Sequence, residues 1–328
     1  MNRFRGLLGD VLGAFGDAGV LVPIFLALVA LNGLPPARAL ILVGLTYLAA
    51  GAYFRLPVPV QPLKAMSAIA IAAGLDMFAI RSAAVWMGLI LVTLSWTGTI
   101  ERIAAWFTRP IVKGIQLGVG LLLLKSALML AFPAAARALH STAGTAPHGV
   151  LGFLTAFWVL VLPQIPLTLG NSVFATADAA RGYFGEGTRA DARRLSLSVG
   201  AANLAAGLLG GMPVCHGSGG LTAHYRCGAR TARATALTGG LCLALGLLCG
   251  DGAAAVLRAV PSWALALLLV YVGLCHVWLV KGLAERRALA LAIGAIGLLS
   301  GNLAVAMGCG LLLERVCDGL LQPRLAAR

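Results

Sequence analysis

The chain has 328 residues, 60% of them hydrophobic and 11% charged, with a formal net charge of +14 and a mean hydropathy of +0.93. Soluble domains carry about 25% charged residues, so composition excludes a soluble globular protein and predicts a polytopic membrane protein. The positive balance then reads as basic residues gathered in cytoplasmic loops; lipid, and no nucleic acid, is the expected partner.

The first ten residues, MNRFRGLLGD, are basic but carry no cleavage pattern, which predicts a retained cytoplasmic end. Residues 11–31 form a first expected span, interrupted by Gly13, Gly16, Asp17 and Gly19. A tight turn, NGLPPAR at 32–38, leads to a second span over 39–54. Then 55–62, RLPVPVQP, breaks the chain, because three prolines in six residues cannot continue a helix. A short helix is expected from Pro62 to about 74, with proline tolerated in its first turn. At 1.5 Å per residue it covers roughly 20 Å, short of a hydrocarbon core of about 30 Å. It is a half-helix.

Residues 82–99 and 111–130 are further spans, joined by a charged connection at 101–113, and a polar loop with two histidines follows at 133–149. The apolar stretch 150–180 carries PQIP at 163–166; it is expected to enter as an irregular or tilted piece and to become regular helix after Pro166. The charged segment 181–194 precedes a span at 195–212. The second break follows, GGMPVCHGSGGLTAHYRCGART at 210–231, with a short helix starting near Ser218. Spans at 232–249, 263–280, 288–300 and 303–313 bring the expectation to about 12 transmembrane segments, two of them half-helices. With both termini inside, 19 basic residues fall on the cytoplasmic side and four (Arg38, Arg81, Arg137 and Arg258) outside, as the positive-inside rule requires. The seven cysteines include no C-x-x-C pair and mostly lie in apolar runs, so buried free thiols are expected.

Two broken helices in corresponding places point to a transporter built from inverted repeats. Irregular polar backbone at membrane depth survives only inside protein or beside a water-filled cavity. Lys64, in the first turn of the first half-helix with Gln61 just before it, either holds an anionic ligand or snorkels to the headgroups. Thr168, Asn171 and Asp178 share one helix face, beside a stripe of Ser172 and Thr176, and line a cavity or a helix contact. Asp17 either pairs with Lys64, carries a coupling proton or is a structural ion-pair partner; Asp178 also has nearby arginines as partners. At the second break His216, Ser218, Gly219 and Gly220 can form a nest of backbone N–H groups for an anion, with His216 donating or titrating. Cys215, His216, His224 and Cys227 match no standard zinc spacing, and no catalytic signature is present. The expectation is therefore no metal, no cofactor and no enzyme; an anion channel and a membrane-bound enzyme are the competing classes.

PVPVQPLKAMSAIA at 57–70, PQIPLTLGNSV at 163–173, the second break at 210–231 and GDAGVLVPIFLALVALNG at 16–33 resemble the signature segments of the molybdate transporter family, related to the SulP sulfate permeases. The resemblance implies an all-α, UraA/SulP-like inverted-repeat fold without a STAS domain. Its core would take in approximately 1–100 and 163–250, and its gate approximately 101–132 and 260–316. It implies secondary active transport of molybdate, or alternatively sulfate or another anion, by an elevator-like step, with a homodimer and a coupling proton as further partners. The implied setting is the bacterial inner (plasma) membrane. By the same resemblance the pocket comprises Gln61, Pro62, Lys64, Asn171, Ser172, His216, Gly217, Ser218, Gly219 and Gly220, with Asp17, Thr168 and Asp178 as coupling or supporting residues. The chain departs from the family in two respects: only the loop at 133–149 stands where relatives have two segments, which would thin the gate, and His224 and Cys227 stand where Gln and an aromatic are expected, outside the implied pocket.

Overall fold

The computed structural model describes residues 3–132, 148–250, 252, 261–283 and 286–325, most of them helical. In chain order the helices are α1 (Arg3–Ala14), α2 (Ala18–Asn32), α3 (Pro36–Phe54), α4 (Lys64–Ala73), α5 (Met77–Thr97), α6 (Ile100–Ala104), α7 (Arg109–Ala131) and α8 (Gly149–Phe184). They continue with α9 (Ala192–Leu209), α10 (Ser218–Arg226), α11 (Arg233–Cys249), α12 (Ser262–Trp278), α13 (Arg287–Ser300) and α14 (Leu303–Leu325). Two-residue strands β1 (Gln61–Pro62) and β2 (Val214–Cys215) precede α4 and α10. Among the described residues five stretches are long and apolar enough to cross a membrane: Gly6–Asn32, Pro36–Phe54, Met77–Thr97, Arg109–Ala131 and Gly149–Phe184. Most of the expected loop at 133–149 lies outside the described residues, as do Arg137 and Arg258.

Local chemistry sets most boundaries. Asp76 and Asp191 cap α5 and α9, accepting from Ala79 N (3.0 Å) and Arg194 N (2.8 Å), which satisfies first-turn donors. Gly74 ends α4 at φ +61, a left-handed conformation that glycine adopts without a Cβ penalty.

The first span is interrupted at residues 15–17, within the glycine-rich stretch expected to interrupt it; a Cβ at Gly16 would meet the backbone of Ala223 at 2.9 Å, so α10 packs into the break. Three details differ from expectation. The first half-helix begins at Lys64, not Pro62, because Leu63 N donates to Pro213 O at 3.0 Å and holds Pro62 in a strand. The stretch before Pro166 is helical with one irregular turn, and regular helix resumes only at Ala175: α8 runs through both prolines, with π-helical turns at Phe157–Val161 and Thr168–Phe174. Such turns widen the helix and accommodate the carbonyls that lose a proline N–H. Cys227, Cys249 and Cys275 are exposed rather than buried, while Cys215 and Cys242 are interior.

Helix packing has a reciprocal pattern. The most extensive pairs are α3 with α11, α5 with α9, α7 with α12 and α7 with α13. Matching α3 to α9, α4 to α10, α5 to α11 and α7 to α12 exchanges the first two pairs. It returns α7·α12 and β1·β2 to themselves. Each exchange pair approaches through glycine: an added Cβ at Gly44 would lie 2.7 Å from Gly239 O, one at Gly88 2.9 Å from Gly200 O, and one at Gly120 2.7 Å from Gly273 O. Small residues let backbones approach closely where lipid provides no hydrophobic drive between helices. One apolar cluster runs from Ile24 and Leu28 on α2, through Met66 and Ile69 on α4, to Leu122 on α7 and Leu269 on α12. Half-helix α4 is thereby enclosed in protein: Ala65 through Ile71 are all buried.

Candidate functional site

The two breaks meet. β1 pairs antiparallel with β2, Gln61 opposite Cys215 and Pro62 opposite Val214. Antiparallel pairing sets the starts of α4 and α10 side by side and sends the two helices in opposite directions. Their free first-turn N–H groups and positive dipole ends converge there.

Buried side chains hold this junction. Asn203 on α9 mimics a neighbouring strand, donating to Val214 O at 2.7 Å and accepting from Val214 N at 3.1 Å. His216 Nδ1 lies 2.8 Å from Pro59 O and its Nε2 2.9 Å from Ser198 Oγ. A carbonyl can only accept, so Nδ1 carries the proton and Nε2 accepts from the serine hydroxyl. Thr176 on α8 donates to His216 O at 2.7 Å. Gln164, within the PQIP sequence, accepts from Met66 N at 3.0 Å and donates to Thr168 Oγ1 at 3.0 Å, capping α4 from outside.

In front of the junction lies a cavity of about 850 Å³. Lys64 Nζ donates to Gln61 Oε1 at 2.6 Å, and Gln61 Nε2 donates to Asp17 Oδ1. Gln61 therefore links the lysine to the carboxylate and leaves the two charges without direct contact. Asp17 is 4% exposed, and its Oδ2 has no hydrogen-bond partner. Ser218 Oγ donates to Asn171 Oδ1 at 2.8 Å, which leaves the amide nitrogen as the donor Asn171 offers a ligand. A Cβ added at Gly219 would meet no heavy atom within 4 Å, so backbone is open to the cavity there. The facing wall is built by α7 and α12 and includes Arg109, Lys113, Gln116, Tyr271 and His276. Three cations and one carboxylate, Asp17, line the space.

Of the residues singled out in the sequence, Asp17, Gln61, Lys64, Asn171, Ser218 and Gly219 line this cavity. Pro62, Ser172, His216, Gly217, Gly220 and Thr168 lie behind its wall. Gly217 and Gly220 make room for Gln61: an added Cβ would fall 2.1 Å from its Oε1 and 2.7 Å from its Nε2, respectively. Asp178 is exposed and paired with Arg181. Sequence reasoning did not single out Gln164, Asn203, Arg109, Lys113 or Gln116. The Pro–Gln–Ile–Pro spacing is the one signal for Gln164; Arg109 and Lys113 read as part of the charged connection at 101–113 and Gln116 as part of the span at 111–130.

The chain matches the family described as "Molybdate transporter of MFS superfamily" over residues 9–123 and 156–275. It is 26% identical to Molybdate transporter 1 of Arabidopsis thaliana, over 82% of this chain and 79% of that protein. It is also 26% identical to Molybdate transporter 2 of the same plant, over 94% and 86%. Among solved structures it is similar to the transmembrane domain of a cyanobacterium bicarbonate transporter, BicA, with a TM-score of 0.64, 16% identity and coverage of 93% of this chain and 98% of that one. The murine Slc26a9 anion transporter in the inward-facing state aligns with a TM-score of 0.62 and 12% identity, over 96% and 69%. Because the family match spans well over half of its length, the chain belongs to the molybdate transporter family, with a fold shared by SLC26-type anion transporters.

Proposed function

We propose that the chain is a secondary active transporter of a tetrahedral oxyanion, molybdate first and sulfate as the alternative. One observation carries the reading: the paired starts of α4 and α10 meet at a cavity holding Lys64, with no metal needed to neutralise the ligand. The anion would accept from Lys64, from the Asn171 amide and from free backbone N–H groups at Ser218 and Gly219, while the Ser218 hydroxyl holds Asn171 in place. Gln61, Pro62, Ser172, His216, Gly217, Gly220 and Thr168 would hold those donors in place. Membership of a molybdate transporter family supports anion transport over an anion channel or an enzyme.

The mechanism proposed is elevator-like. Two inverted repeats, in about 12 segments, would divide into a core (approximately 1–100 and 163–250) that carries the half-helices and a gate (approximately 101–132 and 260–316). The reciprocal packing of α3·α11 and α5·α9 supports that division. With both termini cytoplasmic in a bacterial inner membrane, the cavity mouth would face inward; the exposed basic residue Arg109 at that mouth supports this. Asp17 is assigned the coupling proton: its protonation removes the one negative charge facing the dianion. A homodimer completes the reading.

Labelled molybdate uptake into proteoliposomes, with sulfate as competitor and a pH gradient on or off, tests it. Saturable uptake inhibited by sulfate is expected. Folded protein that moves neither oxyanion would sink the proposal.

A further inference from the structure

We infer that Arg109, Lys113 and Gln116, on one face of α7, form a second oxyanion subsite across the cavity from Lys64. The inference rests on the anion-transport reading above and adds a site to it. The three residues are spaced i, i+4 and i+7, which puts them on one stripe of a helix. All three line the cavity. Their burial is graded along the stripe: Arg109 is exposed, Lys113 half-buried and Gln116 buried. The stripe therefore runs from the mouth inward.

Two features call for a ligand. Like charges one turn apart repel and destabilise a helix, and Arg109 and Lys113 are such a pair. The ion pairs among the described residues join His148 to Asp76, Arg181 to Asp178, Arg194 to Asp191 and Arg286 to Glu314; neither α7 cation takes part. The gate carboxylate near the start of α7, Glu314, already accepts from Thr108 Oγ1 at 2.8 Å and from Arg286 at 3.2 Å. At the deep end, Gln116 is 8% exposed and its Oε1 has no partner. Because no bond holds that oxygen, exchanging the amide O and N would turn the N–H donors of Gln116 toward an anion at no cost in a broken Oε1 contact.

The cavity has room for both sites. Its volume of about 850 Å³ lies in the range of sites for drug-sized ligands, about 300–1,000 Å³, so a five-atom anion at Lys64 leaves much of it free. A cationic stripe at the mouth would raise the local anion concentration and hand the ion to Lys64. Loss of the stripe should therefore weaken capture more than turnover.

Two measurements on the full chain in proteoliposomes test this. In labelled molybdate uptake, Lys113→Gln and the Arg109→Gln/Lys113→Gln pair should raise KM roughly tenfold, the size of one lost charge-assisted contact. The maximal rate should stay within about twofold, and Lys113→Arg should restore KM. Wild-type KM in both variants would overturn the subsite. The second measurement is acylation of Lys113, one of four lysines in the chain, by an amine-reactive reagent, read by mass spectrometry at constant ionic strength. Molybdate or sulfate should protect Lys113 and chloride should not, and protection should persist in Lys64→Gln. Ser218→Ala serves if Lys64→Gln fails to reach the membrane. No protection by either oxyanion, or protection that vanishes with the Lys64 site, would overturn a separate subsite. Wild-type protein that moves neither oxyanion counts against the transport reading, while the acylation result still decides the subsite.

Discussion

Lys64, Gln61 and Asp17 form a chain in which a neutral amide separates a cation from a carboxylate. This keeps the ammonium available to an anion instead of consuming it in an ion pair. Lys64→Ala removes a charged donor worth about 1.5–3 kcal/mol; molybdate binding should weaken roughly ten- to hundredfold in equilibrium binding. Wild-type affinity would assign Lys64 to headgroup contact. In the proposed coupling, Asp17 would set the sign of the pH dependence. Protonating it makes the cavity more positive, so uptake should rise as pH falls. Asp17→Asn should flatten the uptake–pH profile while retaining binding; a profile unchanged from wild type would remove Asp17 from coupling. His216 has a different task, because both ring nitrogens are engaged by Pro59 and Ser198. His216→Ala should destabilise the protein by about 2 kcal/mol through orphaned buried partners, seen as a lowered Tm. The pH profile of its residual uptake should match wild type.

At the scale of elements, the decisive unit is the pair of breaks with their strand contact. α4 and α10 are short, and neither could hold its N-terminus at the site alone. Pairing of β1 with β2, the Asn203 clamp and the Gln164 cap fix both. Glycines set the clearance. A Cβ at Gly217 would lie 2.1 Å from Gln61 Oε1 and 3.2 Å from Lys64 Nζ, whereas one at Gly219 would meet nothing within 4 Å. Gly217→Ala should therefore displace Gln61, cost about 1–3 kcal/mol and lower molybdate affinity. Gly219→Ala should fold with wild-type stability. Equal thermal unfolding of the two variants would contradict this packing.

For the whole molecule, an elevator requires relative motion between core and gate and rigidity within the core. Gly170 on α8 faces Val112 on α7, with an added Cβ 3.5 Å from the valine methyl. That contact joins the proposed core to the proposed gate. Gly211 and Leu42 lie within the core, with an added Cβ at Gly211 3.4 Å from Leu42 Cβ, close to the disulfide Cβ separation of about 3.5–4.5 Å. Oxidising a Val112→Cys/Gly170→Cys pair should arrest uptake, and reduction should restore it. A Leu42→Cys/Gly211→Cys pair should leave uptake intact when oxidised. Continued uptake with the first pair cross-linked would exclude core–gate motion at this contact.

Membrane residence, the half-helices, the two breaks and one side of the cavity (Asp17, Gln61, Lys64, Asn171, Ser218 and Gly219) were legible in the chain because each is local. Apolar runs, proline clusters and glycine-rich polar gaps act within a turn or two of helix. Lys64, Asn171 and Ser218 stood out because polar groups are expensive in lipid. What locality cannot carry was decided by packing. Pairing of the two breaks joins Gln61 to Cys215 and Pro62 to Val214, residues far apart in the chain. His216 sits behind the wall because Pro59 and Ser198 saturate it. Arg109 and Lys113 read as surface cations until α7 was placed against the cavity. The residue types were present in the sequence from the start; which of them share a space, and which are already spoken for, is a property of the tertiary contacts alone.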